Sequence, residues 1–124
     1  MKDRFKFRAW SDEYNRYLDK YDIYNETLVT DYSIYTLLEF YVDSNKFTFE
    51  QCTGLKDKNG KLIYEGDIVE THDYTTEHSQ IVFDNGCYVL KSKDVAMYEH
   101  LSTYQKKCKI IGNIHENKEL LEED

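Results

Sequence analysis

The seventeen-residue stretch from Thr53 to Val69, TGLKDKNGKLIYEGDIV, constrains this chain more than any other part of it. It holds a hairpin turn, Asn59-Gly60, followed by the apolar Leu62-Ile63-Tyr64. A second tight place, Glu65-Gly66-Asp67, follows at once and opens into the apolar start of another strand. Glycine takes positive φ without steric cost, so both places read as sharp reversals between short strands. The stretch holds no catalytic signature. It is a piece of architecture, and it predicts a small, strongly bent sheet.

The rest of the chain fits that reading. Residues 3–10 alternate, with Asp3, Phe5, Phe7 and Ala9 on one face and Lys2, Arg4, Lys6 and Arg8 on the other, which predicts a half-buried strand. Trp10 breaks the alternation and marks a bulge or strand end; as the sole tryptophan it is expected to be buried. Ser11-Asp12-Glu13 reads as a turn, and Arg16-Tyr17-Leu18 as a short return strand. Ile34, Leu37, Leu38, Tyr41 and Val42 follow a helical stripe, which predicts a short helix near 31–43. Phe47–Thr53 reads as a strand and His72–His78 as a polar loop. Asn85-Gly86 between Ile81-Val82-Phe83 and Cys87-Tyr88-Val89-Leu90 predicts a two-residue hairpin, because a type I′ turn needs positive φ at both central residues. A helical turn near Leu101 and a last strand from Cys108 to Ile114 complete the pattern. Gly66 and Gly112 are expected at bends or close approaches. The chain has no proline, so its breaks fall to Gly, Asn and Asp. The expected fold is mainly β (α+β): an N-terminal β-rich subdomain over 1–65, a small SH3-like or bent β-barrel over 66–114, one or two short helices, and an acidic helix or tail over 115–124.

Composition narrows the function classes. The net charge of −8 is spread along the chain and opposes duplex DNA. The one basic cluster, Lys2, Arg4, Lys6 and Arg8, reads as the solvated face of a strand. No apolar run approaches the length of a membrane span, and MKDRFKFRAW is not a signal peptide. Three cysteines, Cys52, Cys87 and Cys108, form no CxxC, and an odd count predicts reduced thiols in the cytoplasm.

Three blocks together resemble the YopX family of phage and prophage proteins of Gram-positive bacteria: Phe7-Arg8-Ala9-Trp10; Thr53–Gly60 running into Ile63–Val69; and Ile110-Ile111-Gly112-Asn113-Ile114-His115-Glu116-Asn117 followed by Glu119-Leu120-Leu121. The resemblance implies a phage-encoded cytoplasmic protein with a mainly β fold. It implies no reaction and carries over no catalytic residue. Residues 11–46, 72–80 and 91–106 lie between the blocks and look specific to this chain.

The chemistry-bearing residues support no enzyme class. His72 and His78, with Asp73 and Glu77, have the residue types of a metal site but no known ligand spacing. Glu65 and Asp67 are paired carboxylates across Gly66 and fit a turn better than acid–base work. The five glycines are isolated, so no phosphate loop exists. No catalytic, cofactor-binding or metal residue is assigned, and no cofactor. Twelve tyrosines exceed the needs of a small core, and tyrosine is enriched at interfaces. Tyr21, Tyr24, Tyr32, Tyr35 and Tyr41 are therefore the candidate protein-interaction residues, flanked by Tyr14 and Tyr17. The expected function is that of a non-enzymatic accessory protein that binds a host or phage protein, or itself as a homo-oligomer. A nucleic-acid-associated role is the alternative, and a small enzyme ranks third.

Overall fold

A computed structural model describes residues 6–18, 47–72, 76–92 and 99–122. The fold is mainly β, as expected, with two antiparallel sheets and one short helix among the described residues. The strands are β1 (Phe7–Ser11), β2 (Arg16–Tyr17), β3 (Phe47–Lys56), β4 (Leu62–Tyr64), β5 (Asp67–His72), β6 (Thr76–Asp84), β7 (Cys87–Lys91), β8 (Glu99–His100) and β9 (Cys108–Asn113); helix α1 is Leu101–Tyr104. A four-stranded sheet has the order β2-β1-β3-β4. A five-stranded sheet, β8-β7-β6-β5-β9, curls into a half-barrel. The chain forms two compact units, one of residues 7–50 and one of residues 1–6 with 51–124. The division runs through β3 between Glu50 and Gln51, whereas the sequence reading placed its boundary at 65/66. The helix expected near 31–43 lies outside the described residues.

In the smaller unit β1 and β2 are joined by a four-residue turn that ends on Asn15 at φ 56°. Trp10 is 3% exposed, packs edge-on against Tyr17 at 5.1 Å, and donates from Nε1 to Asp12 Oδ1 at 3.0 Å. Ala9, Trp10 and Ser11 are buried in succession, so the strand's alternation does break at Trp10. The face assignment fails at two residues. Phe7 is exposed, and Arg8 is half-buried instead of solvated. The cause is Glu50, a buried carboxylate whose Oε1 accepts from Arg8 Nε and from the Tyr17 hydroxyl, each at 2.8 Å. A buried carboxylate requires such donors, and here it draws the guanidinium inward over the Tyr17 ring.

The larger unit explains the Thr53–Val69 stretch residue by residue. Strand β3 does not stop at Thr53 but continues to Lys56, because two extra residues are absorbed in a bulge between Cys52 and Lys56. Thr53 Oγ1 closes it, donating to the Ile63 carbonyl at 2.8 Å and accepting from the Leu55 amide at 3.1 Å, while Gly54 takes φ 81°. At the next reversal Asp57 and Lys61 face each other through an N–H···O bond of 2.8 Å, leaving Lys58-Asn59-Gly60 as the loop. Gly60 has positive φ and Asn59 does not. Asn85-Gly86 differs: both residues have positive φ, 51° and 82°, and they alone join the paired Asp84 and Cys87. The same dipeptide thus makes a three-residue and a two-residue loop.

Asp57 decides the difference. It is 7% exposed, and its Oδ1 accepts from the amides of Asn59 and Lys61, both at 2.9 Å. Its Oδ2 accepts from the amide of Ile110 on β9 at 3.0 Å, beside a bond from the Lys58 amide to the Cys108 carbonyl. Burial pushes the Asp57 carboxyl up, but the amides of Ile110, Lys61 and Asn59 and the charge of Lys61 together hold it below its ordinary value.

The remaining bend is built the same way. Asp67, also buried, accepts from the Tyr64 amide at 2.7 Å. Gly66, at φ 90°, donates to the Ile81 carbonyl and accepts from the Ile114 amide. The core beneath contains Ile63, Val69, Ile81, Leu90, Leu101 and Cys108. The acidic end, expected as helix or tail, enters a turn stitched by Asn113 Oδ1, which accepts from the amides of His115 and Glu116, and by Asn117 Oδ1, which accepts from the Asn113 amide. A single 3₁₀ turn, Lys118–Leu121, follows. A Cβ on Gly112 would come within 2.8 Å of Asn117 Cβ, so this glycine is the expected close approach.

Two substitutions test these turns by chemical denaturation. Gly86→Val places a β-branched residue at positive φ and is expected to cost about 1 kcal/mol or more. Asp57→Asn keeps the shape but cannot accept on both terminal atoms, and is expected to cost about 1–3 kcal/mol at neutral pH. Because the Asp57 carboxyl is lowered in the folded state, its contribution is present above the ordinary aspartate range and lost as pH falls through the folded value. The penalty of Asp57→Asn should therefore shrink in acid.

Candidate functional site

Two features on the larger unit gather side chains that its core does not consume. The first lies on β5 and β6. Alternation puts Ile68, Glu70 and His72 on one face of β5, and the register sets Glu70 opposite His78 and His72 opposite Thr76. Glu70 Oε1 accepts from His72 Nε2 at 2.7 Å, and Glu70 Oε2 meets His78 Nε2 at 3.1 Å. On the far side of the rings, His72 Nδ1 meets the Thr76 hydroxyl and His78 Nδ1 meets the Leu120 carbonyl, both at 3.0 Å. The hydrogen bond from His78, then that from His72, holds the Glu70 carboxyl below the usual glutamate range against a smaller opposing effect of burial.

This arrangement corrects the reading of His72–His78 as one polar loop. His72 ends β5 and His78 lies within β6. Their common partner is Glu70, which the sequence reading did not single out. Glu77 sits opposite Thr71 and is exposed, and Asp73 lies outside the described residues. Among the described residues no group of three or more His, Cys, Asp or Glu is placed to hold a metal ion. His100 is exposed on β8, and His115 belongs to the Asn113 turn.

The second feature is aromatic. Phe83 and Tyr88 pair across the Asn85-Gly86 hairpin, their rings 5.1 Å apart at 61°. Tyr88 packs on the core, and burial, with Glu65 and Cys52 nearby, pushes its hydroxyl up. Phe83 is 52% exposed, more than the other exposed large hydrophobics of the described residues, Phe7 and Tyr14.

Of the other candidates, some are bound within the fold and others lie outside the described residues. Asp67 accepts from the Tyr64 amide at the Gly66 bend. All three cysteines are free. Burial, then Asp57 and Glu99, pushes the Cys108 thiol up to about 11, so it stays protonated and donates to the Tyr104 carbonyl. Of the basic cluster, Lys2 and Arg4 lie outside the described residues and Arg8 is held by Glu50. The interface candidates Tyr21, Tyr24, Tyr32, Tyr35 and Tyr41 also lie outside them. Of the flanking pair, Tyr14 is exposed, with Arg16 over its ring, while Tyr17 is bound to Glu50 and Trp10. No described helix is long and apolar enough to cross a membrane.

A bulged β3–β4 hairpin clamped by a buried aspartate, a glycine bend, and a curled sheet followed by an asparagine-stitched turn define a β half-barrel class. The chain belongs to the YopX family, whose model, described as YopX protein, matches residues 6–122. It is similar to the crystal structure of protein EF1440 from Enterococcus faecalis, with 27% identity and a TM-score of 0.59 over 94% of this chain and 96% of that one. No curated protein matches the chain.

Proposed function

We propose that this YopX-family chain is a non-enzymatic phage or prophage accessory protein, working in the bacterial cytoplasm by binding another protein or a second copy of itself. The observation that carries this reading is Phe83. It is presented at 52% exposure on a two-residue hairpin and held by Tyr88. A large aromatic fixed in place loses little conformational freedom on contact, and such residues dominate interface energetics. The Tyr-rich segment with Tyr21, Tyr24, Tyr32, Tyr35 and Tyr41 is proposed, on composition alone, as a second protein-contacting region. Its charge of −8 turns the chain away from duplex DNA, since affinity there is set by neutralised phosphates.

Phe83→Ser tests the proposal, because this exposed side chain contributes little to the core. Light scattering over a dilution series, and affinity capture from host lysate with mass spectrometry, should give an assembly or a bound protein that the variant loses at unchanged thermal stability. Identical assembly state and identical captured proteins for both forms would refute the role of Phe83.

A further inference from the structure

We propose that His78 and Glu70 form a pH-sensitive latch that holds the C-terminal 3₁₀ turn, Lys118–Leu121, against the outer face of β5 and β6. The ring's two partners set where its protons must lie for both contacts to hold. His78 Nδ1 lies 3.0 Å from the Leu120 main-chain carbonyl, which can only accept, so Nδ1 carries hydrogen. His78 Nε2 lies 3.1 Å from Glu70 Oε2, and an ionised carboxylate also only accepts, so Nε2 carries hydrogen as well. Both contacts are satisfied together by the imidazolium. Loss of one proton leaves a nitrogen lone pair facing either a carboxylate or a carbonyl oxygen, and one contact must open. The carboxylate form of Glu70 agrees with its lowered proton affinity.

His72 serves as an internal comparison. Its Nε2 donates to Glu70, and its Nδ1 meets the Thr76 hydroxyl, which donates as readily as it accepts. A ring with a single N–H satisfies both contacts, so the geometry at His72 does not call for hydrogen on both nitrogens as it does at His78. Among the described residues, the charged and titratable groups on the elements around His78 include Lys91 on β7, opposite Gln80. On β5 they are Glu70 and His72. On β6, Glu77 is the sequence neighbour and points to the other face. On β9, Lys109 lies across from Glu70. On the turn and its end, Lys118, Glu119 and Glu122 are exposed. Glu70 is the group of this set in hydrogen-bond contact with the ring's Nε2.

The latch predicts its own rescue. In Glu70→Gln the side-chain amide either accepts from a protonated Nε2 or donates to a bare one, so the turn stays docked on both sides of the titration. The test uses the isotopically labelled full chain. Ring nitrogen shifts of His78 report its protonation from pH 5.5 to 8.5, and hydrogen exchange of the Leu120 and Glu122 amides, corrected for intrinsic rates, reports docking. The wild type should show His78 as imidazolium at the acid end and lose protection about ten-fold as the ring titrates. His78→Ala should lack that protection throughout, and Glu70→Gln should keep it throughout. A neutral His78 over the whole range, wild-type protection that ignores the titration, or a Glu70→Gln variant that titrates like the wild type would each overturn the latch.

Discussion

One buried carboxylate ties the family's most characteristic stretch to the edge of the half-barrel. Asp57 satisfies two amides of its own turn and one on β9. Without it those donors would be left without acceptors in a partly dry environment, which is costlier than the bonds are favourable. The same contact covers an edge. β9 ends the five-stranded sheet, and its outward amide at Ile110 would otherwise be open to pairing with another chain. The clamp therefore sets a turn type, a strand's position and an edge's protection at once.

The Thr53–Val69 stretch performs a succession of such local duties. Thr53 and Gly54 make the bulge, Asp57 and Gly60 make the turn, and Gly66 and Asp67 make the bend. The exposed Phe83 and the Glu70 face with its two histidines lie outside this stretch.

The legible part of the structure is the part written in local sequence. Asn85-Gly86 specifies its hairpin within six residues, Gly66 announces a bend and Gly112 a close approach, and Trp10 breaks its strand where it stands. The illegible part depends on register between strands. Nothing near Asp57 separates a buried clamp from a surface turn residue, because its third donor, Ile110, is 53 positions away. Arg8 looked solvated because its partner Glu50 lies 42 positions on. The Glu70 cluster was hidden in the same way: His72 and His78 are close in sequence, but their meeting point is set by the β5–β6 register and by a turn more than forty residues later.

Native-state hydrogen exchange measures the central clamp most directly. If Asp57 joins turn and edge into the cooperative unit, the Lys61 and Ile110 amides should exchange only through the opening that releases the amides of β5 and β6, with the same free energy and the same denaturant dependence. Exchange at Lys61 and Ile110 that is orders of magnitude faster, while β5 and β6 remain protected, would contradict the account.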